Sequence, residues 1–244
     1  HHRCPRRRRY RRRTLIHLIL LLLCSPGVDG IIPHDPGAFT QGLEIRNGFL
    51  WESAGLYGQS TFRKTSMENG EVLETLRLPD SVFAEGFTFL NDSTVVLLTW
   101  KEHTAFLIHT GNMEIIEAVP FQGEGWGLCY GEGVLYHSDG TSAITIRDPH
   151  TLEPTGSICV TLNGTPQPFL NELEFINGSI AANQWRTSRI LFIDPECGTV
   201  ERVVNLSNVV PDAPGVMNGL AADGNDRIYC TGKNWPVTII LDEG

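Results

Sequence analysis

One carboxylate in the sequence stands inside a run that otherwise has the composition of a buried strand. Glu85 lies within the apolar segment from Val82 to Phe89. Charged side chains are seldom fully buried without a partner. An apolar environment raises the pKa of a carboxyl group towards the range in which it can both take and give a proton near neutral pH. Taken alone, the position favours a solvated glutamate at the end of a loop, and it is the recurrence of the same pattern along the chain that favours a general acid–base.

The elements that must position this carboxylate recur along the chain. Apolar strand starts lie 41 to 47 residues apart, at Leu43, Phe87, Leu128, Leu173 and Leu220. Each copy contains short β-rich segments separated by turn residues, and four strands in just over 40 residues is the spacing of a β-propeller blade. We therefore predict an all-β protein, a five-bladed β-propeller.

The last copy is short, because few residues remain after its second strand. We expect it to take its outer strand from the segment near Ile31 and Ile32. Pairing of the N-terminal and C-terminal strands would close the ring and remove exposed sheet edges.

The first 30 residues differ from the rest. Eight arginines within residues 3–13 precede an apolar run at 15–24 and then Ser25, Pro26 and Gly27. This is the pattern of a secretory signal or signal anchor, and the apolar run is shorter than the ~20 residues that span a bilayer. We predict a signal segment at 1–30, with cleavage favoured, a catalytic propeller at 31–244, and a secretory or extracellular location.

Charge and cysteine content narrow the functional classes. Without residues 1–30 the chain has 11 basic and 27 acidic side chains, a net charge of −16, which would repel a nucleic acid and argues against such a partner. Four sequons fit a secreted glycoprotein, at Asn91, Asn163, Asn177 and Asn205. Four cysteines could form two disulfides, but no pairing follows from the sequence; they are Cys129, Cys159, Cys197 and Cys230. The five histidines of this part are expected at surface or turn positions.

Propeller loops at one end of every blade converge on the axis, so equivalent positions in the repeats should meet there. The residues at or just before the first strands are Phe39, Gln41, Phe83, Glu85, Glu124, Trp126, Asn171, Glu172, Met217 and Asn218. Those where the second strands end are Glu52, Trp100, Lys101, Ser138, Asp139, the segment 183–185 with Trp185, and Lys233. Aromatic walls with a few convergent polar groups are typical of a binding site.

Structural alternatives exist for several of these residues. The tryptophans could be core aromatics between blades, and Gln41 and Asn171 could only tie loops together. Lys233 could be a solvated lysine. Asp139, in Ser-Asp-Gly, is expected to be a turn residue rather than a catalyst.

In these segments the sequence resembles the plant and bacterial glutaminyl cyclotransferases, five-bladed propellers that are secreted. The likeness extends over about residues 31–241, in the segments Phe39–Leu43, Phe83–Gly86, Leu98–Lys101, Gly123–Leu128, Leu170–Glu174, Asn183–Trp185, Met217–Leu220 and Thr231–Lys233. It implies conversion of the N-terminal glutamine of peptides and proteins to pyroglutamate with release of ammonia. It also implies that Glu85 is the acid–base, and that substrate contacts come from Phe39, Gln41, Phe83, Trp100, Trp126, Asn171, Trp185 and Lys233.

The implied chemistry is compatible with these residue types. One carboxylate within reach of the attacking amine and the leaving nitrogen can move the proton between them, while Asn171, Gln41 and Lys233 are candidate donors to the developing oxyanion. No metal cofactor is expected, because hydrogen bonds can activate the amide. A structural calcium ion among axial carbonyls stays open, although no loop has the pattern of a dedicated site. We expect a monomer with no stable membrane domain unless the signal anchor is retained.

Two other functions remain open at this point. A non-catalytic propeller that binds peptides or sugars could use the same cup, and a carboxyl group with an unshifted pKa would favour it. A calcium-dependent hydrolase would need several acids and amides around an axial metal. The single dominant acid and the tryptophan walls argue against that hydrolase.

Overall fold

The computed structural model describes residues 27–209, 215–225 and 227–242, and these contain twenty-two strands and no helix. The strands are β1 (Val28–Pro33), β2 (Thr40–Arg46), β3 (Phe49–Ala54), β4 (Thr61–Ser66), β5 (Val72–Arg77), β6 (Ala84–Phe89), β7 (Thr94–Thr99), β8 (Thr104–His109), β9 (Glu114–Pro120), β10 (Leu128–Gly131), β11 (Val134–Ser138), β12 (Ala143–Arg147), β13 (Pro154–Cys159), β14 (Thr161–Leu162), β15 (Thr165–Pro166), β16 (Leu170–Ile176), β17 (Ser179–Gln184), β18 (Arg189–Ile193), β19 (Val200–Asn205), β20 (Met217–Ala222), β21 (Arg227–Gly232) and β22 (Val237–Asp242).

Twenty of these strands form five antiparallel sheets of four, which are the blades of a propeller. In chain order the sheets are β2 to β5, β6 to β9, β10 to β13, β16 to β19, and β20 to β22 with β1. The strands β14 and β15 form a separate small hairpin. The predicted five-bladed architecture is confirmed.

The ring closes as the sequence predicts. Strand β1 is the outer strand of the last blade and pairs antiparallel with β22, with Ile31 opposite Ile239 and Ile32 opposite Thr238. Because the two ends of the chain share one sheet, the last blade has its full set of four strands. Strand β1 begins at Val28, so it includes the last three residues of the segment that we assigned to the signal.

In blades 1 and 4, a tight turn at an Asn-Gly pair connects the first strand to the second. Asn47 and Gly48 have φ of 53° and 77°, and Asn177 and Gly178 have φ of 49° and 84°. Two successive positive φ values characterise the type I′ turn, which asparagine and glycine tolerate best. These turns explain why the two copies share that pair.

Burial decreases from the axis outwards. Every residue of β6, an innermost strand, is buried, whereas β5, an outer strand, is mostly exposed or half-buried. The innermost strands approach each other so closely that a side chain has no room at some positions. A Cβ atom on Gly127 would lie 2.0 Å from the carbonyl oxygen of Asn171. Glycine at that position is therefore a condition for the narrow axis.

Several predictions lie outside the blades or concern isolated residues. The arginine-rich and apolar parts of the predicted signal, residues 1–26, lie outside the described residues, and no helix in the described part is long and apolar enough to cross a membrane. The four sequon asparagines are all exposed. Cys129 and Cys230 are buried and Cys159 and Cys197 are exposed, all four as free thiols.

The expectation that the histidines occupy surface or turn positions is wrong for His137. This residue lies in β11 and is 3% exposed, with its ring edge-on to Phe121. Burial and the neighbouring Arg147 guanidinium lower its pKa to about 4. His137 is therefore a neutral core residue.

Candidate active site

A cavity of about 260 Å³ opens at the end of the propeller where the first strands begin. Its lining consists of the nine side chains singled out from the sequence: Phe39, Gln41, Phe83, Glu85, Trp100, Trp126, Asn171, Trp185 and Lys233. Every blade supplies at least one of them. The volume lies just below the ~300 Å³ at which pockets begin to hold drug-sized ligands, so the cavity suits a group about the size of one amino-acid residue.

Aromatic rings form most of the wall. Phe83 lies edge-on to Phe39 at 6.1 Å and tilted against Trp100 at 5.6 Å, measured between ring centroids. On the other side Trp126 and Trp185 meet edge-to-face at 5.6 Å. Edge-to-face pairs are the favoured arrangement of aromatic rings. The rings therefore hold each other in place and give the cavity a largely apolar wall.

Glu124 fixes two of the indoles. Its Oε2 accepts hydrogen bonds from Nε1 of Trp100 at 3.0 Å and from Nε1 of Trp126 at 3.3 Å. Its Oε1 lies 3.6 Å from Nζ of Lys101, whose ammonium group stacks over the Trp100 ring at 3.9 Å. Glu124 thus connects two walls that come from neighbouring blades. It was placed near the cup from the sequence, but this positioning contact was not foreseen.

Glu85 lies at the floor of the cavity and is 5% exposed. Its Oε1 accepts a hydrogen bond from Nε2 of Gln41 at 3.0 Å. Burial raises the pKa of Glu85 well above its usual value, Lys233 opposes that shift, and the carboxylates of Glu102 and Glu124 add to it. The structure therefore gives Glu85 the environment that was predicted for a general acid–base.

Lys233 is the cation in the cavity that interacts electrostatically with Glu85. It is 8% exposed and its ammonium nitrogen lies 4.7 Å from the centroid of the Phe39 ring. Burial lowers the pKa of Lys233, and the charge of Glu85 partly offsets this effect. A buried ammonium group over a ring can donate hydrogen bonds to a ligand that enters the cavity.

Several residues that the repeat alignment placed near the cup do not line it. Glu52 is 1% exposed and pairs with Arg63 and with His34. Glu172 accepts hydrogen bonds from the backbone N–H groups of Leu43 and Leu220 and so joins three blades. These two acids are structural because their oxygen atoms are already occupied.

Ser138 and Asp139 are also structural. The hydroxyl of Ser138 donates to the carbonyl oxygen of Asn171 at 2.5 Å, which supports the backbone of a cavity residue. Asp139 accepts from the N–H of Thr141 at 3.1 Å, as the predicted turn residue would. Within the described residues, no three His, Cys, Asp or Glu side chains converge in a way that could hold a metal ion.

The sequence profile of the glutamine cyclotransferase family matches residues 23–241. The chain is 36% identical over 216 residues to the glutaminyl-peptide cyclotransferase of Arabidopsis thaliana, a match that covers 84% of this chain and 67% of that protein. The chain belongs to the glutamine cyclotransferase family. It is therefore homologous to enzymes of the acyltransferase type.

Solved structures agree with membership of the glutamine cyclotransferase family. The glutaminyl cyclase of Myxococcus xanthus superposes with a TM-score of 0.80 at 35% identity, over 88% of this chain and 94% of that one. The Pan2 WD40 domain of Neurospora crassa superposes with a TM-score of 0.50 at 9% identity, over 88% of this chain and 94% of that one. The second likeness concerns the propeller fold alone.

The rim of this glutamine cyclotransferase cavity includes residues that were not predicted. Tyr57 packs edge-on against Phe83 at 5.5 Å, and its hydroxyl donates to Glu102 at 2.7 Å. Phe169 packs against Trp185 at 6.1 Å with φ of 68°, which is unusual for an aromatic residue. Phe169 lies two residues before the predicted Asn171 and Tyr57 lies five residues after Glu52, and this nearness in the chain was the only sequence signal.

Proposed function

We propose that this protein converts the N-terminal glutamine of peptides and proteins to pyroglutamate with release of ammonia, without a metal ion. The observation that carries the proposal is the buried Glu85 carboxyl at the floor of a ring-walled cavity of about 260 Å³. Family membership supplies the reaction class, and the names of the relatives supply the substrate.

In this reaction the α-amino nitrogen attacks the γ-carboxamide carbon and forms a five-membered lactam. The C–N bond to the amide nitrogen then breaks and ammonia leaves. Glu85 takes a proton from the attacking amine and gives it to the departing nitrogen, so the carboxyl group ends in its starting state. A carboxyl whose pKa is raised by burial is suited to both steps near neutral pH.

The remaining cavity residues position the substrate and stabilise charge. The rings confine amine and amide together, which converts much of the entropic cost of attack into binding. Lys233, Asn171 and the second N–H of Gln41 can donate to the oxygen that becomes negative during attack. These donors can stabilise the charge that a Lewis acid would otherwise stabilise. The proposed reaction therefore needs no metal cofactor.

The test is to incubate the purified protein with a glutamine-initiated dipeptide in the presence of a chelator. Ammonia is measured by a coupled assay and the lactam by mass spectrometry, with Glu85→Gln as the matched control. Equal rates with and without chelator support the proposal. Peptide binding without ammonia would leave a binding module, and activity that calcium alone restores would indicate a metal-dependent enzyme.

We also propose that the protein enters the secretory route. The support is the basic and apolar segment at 3–24 and the exposure of all four sequon asparagines. Expression with residues 1–30 retained in a eukaryotic cell, followed by glycosidase treatment of the medium, tests this. Unglycosylated protein retained in the cytosol would contradict it.

A further inference from the structure

Asn218 lies outside the cavity wall, and the two ends of its side-chain amide differ. The NH₂ group has several acceptors nearby, whereas the carbonyl oxygen has no donor among the described residues. The side chain is 0% exposed. Its Nδ2 lies 3.1 Å from the carbonyl oxygen of Thr40, 3.4 Å from that of Gln41 and 3.1 Å from Oε1 of the Gln41 side chain. Its Oδ1 has no hydrogen-bond partner among the described residues. Since backbone carbonyls only accept, they fix the nitrogen of this amide towards Gln41.

That orientation in turn fixes the amide of Gln41. With Asn218 Nδ2 as donor, the side-chain oxygen of Gln41 must point at Asn218 and its nitrogen at Glu85, where Nε2 lies 3.0 Å from Oε1. The flipped amide would put two nitrogens together at one end and two oxygens together at the other. The contact between the two nitrogens would be repulsive in either charge state of Glu85, and the contact between the two oxygens would be repulsive while Glu85 is ionised. The backbone of blade 1 therefore sets the direction of the whole chain of hydrogen bonds.

We infer that Asn218 is a positioning residue for proton transfer: through Gln41 it holds an N–H donor on Oε1 of Glu85, which leaves Oε2 as the oxygen that takes and gives the proton. The consequence for catalysis rests on the proposed function. The consequence for the carboxyl group itself does not, because it follows from the hydrogen bonds alone.

Other charges that act on Glu85 come from the loops around the cavity. Lys233 favours the ionised carboxylate, and Glu102 and Glu124 favour the neutral acid. The Gln41 donor adds to the effect of Lys233, since an N–H group binds a carboxylate more strongly than it binds a carboxylic acid. Removing that donor, or the residue that orients it, should raise the pKa of Glu85 further.

The kinetic test compares Asn218→Ala, Gln41→Ala and the double variant. We expect each single change to lower kcat about 10- to 100-fold. In Asn218→Ala the KM should change by less than about threefold, because this side chain does not line the cavity, whereas Gln41→Ala also removes a cavity side chain and can raise KM. The double variant should be no slower than Gln41→Ala, since both changes remove one relay. A wild-type kcat in Asn218→Ala, or losses that multiply in the double variant, would overturn the inference.

Two further variants separate orientation from packing. Asn218→Asp keeps the shape but replaces the donor by an oxygen that faces three acceptors, so it should lower kcat at least as much as Asn218→Ala. A role in filling space predicts near-wild-type turnover instead. Thr231→Val is the control: it removes a buried hydrogen bond of the same blade, from Thr231 Oγ1 to the carbonyl oxygen of Val237 at 3.0 Å, and should change kcat less than about twofold.

An independent measurement is the titration of Glu85 by NMR in protein labelled at the glutamate carboxyl carbon, with Glu85→Gln to assign the signal. The pKa should rise in both Asn218→Ala and Gln41→Ala and stay unchanged in Thr231→Val. This result is readable even in a protein that releases no ammonia, so failure of the proposed function and failure of the relay are distinguishable. An unshifted Glu85 in both variants would refute the relay.

Discussion

Two glutamates at the inner ends of neighbouring blades are equally buried and have opposite electrostatic environments. Glu52 is 1% exposed and Glu85 is 5% exposed. Burial alone would raise the pKa of Glu52, but His34, Arg63 and a hydrogen bond from Thr40 lower it to about 2. Burial raises the pKa of Glu85 well above its usual value, and the charge of Lys233 offsets this only in part.

The difference lies in the number of donors that reach each carboxylate. Glu52 accepts from the Thr40 hydroxyl at 2.6 Å, lies 3.0 Å from His34 Nε2 and is paired with the Arg63 guanidinium. For Glu85 the side-chain donor found among the described residues is Gln41. A carboxylate with all its lone pairs occupied stabilises a fold but cannot exchange protons, whereas an incompletely paired one keeps an oxygen for chemistry.

The sharpest test of this contrast is Glu85→Gln. The amide is nearly isosteric and keeps a partner for Gln41, but it cannot take a proton from the amine. We expect kcat to fall by about 10²- to 10⁴-fold, the range that a general acid–base contributes. Ammonia release under saturating peptide measures it. Turnover at the wild-type rate would remove Glu85 from the mechanism.

The converse change, Glu52→Gln, should act on stability. Among the described residues this leaves the half-exposed Asp35 as the one carboxylate partner of the buried Arg63. Breaking a buried ion pair costs about 3–5 kcal/mol of unfolding free energy. Because Glu52 does not line the cavity, kcat of the folded fraction should remain within about threefold of wild type. Urea unfolding and turnover of the same preparation provide both values. A large loss of kcat with unchanged stability would show that Glu52 acts in catalysis rather than in stabilising the fold.

The pH dependence of stability should differ in sign between the two acids. Glu52 has a folded pKa of about 2 against 4.5 for an ordinary glutamate, so its contribution is present above pH 4.5 and is lost as pH falls towards 2. That shift corresponds to about 3 kcal/mol. Glu85 has a raised folded pKa, so its contribution is fully present below pH 4.5 and is lost as pH rises from there through the raised pKa of the folded state.

Unfolding free energies at about pH 3 and about pH 7 test these two signs. The gap between wild type and Glu52→Gln should narrow on acidification. Glu85→Gln, which has no charge to bury, should gain stability relative to wild type as pH rises. Parallel pH profiles for wild type and both variants would show that neither acid has a different pKa in the folded and unfolded states.

Repeat spacing was enough to predict the blades and their closure, since both depend on equivalent positions in successive copies. It placed the nine cavity residues in a larger set around the axis, and the family resemblance selected them from it. It could not separate Glu52 from Glu85, because the partners of Glu52 come from outside its own repeat position: His34 precedes the first blade and Arg63 lies on β4. The orienting role of Asn218 was likewise invisible. It depends on where three oxygen atoms of blade 1 lie relative to a side chain of blade 5.

The smallest effect is expected for Trp126→Ala, which probes the wall rather than the acid. The indole packs against Trp185 and over Gly140, and it is only half-buried, so its removal should lower stability by less than about 3 kcal/mol, the lower limit for a core aromatic. The loss of a wall should raise KM about tenfold and change kcat less, because Glu85 and Gln41 keep their contact. Phe62→Ala, which removes a fully buried ring between blades 1 and 2, is the matched control and should cost stability with little effect on KM. If Trp126→Ala instead lowers stability as much as Phe62→Ala and leaves KM unchanged, the indole of Trp126 belongs to the core. Trp126 would then count with the structural interior and not with the wall that binds substrate.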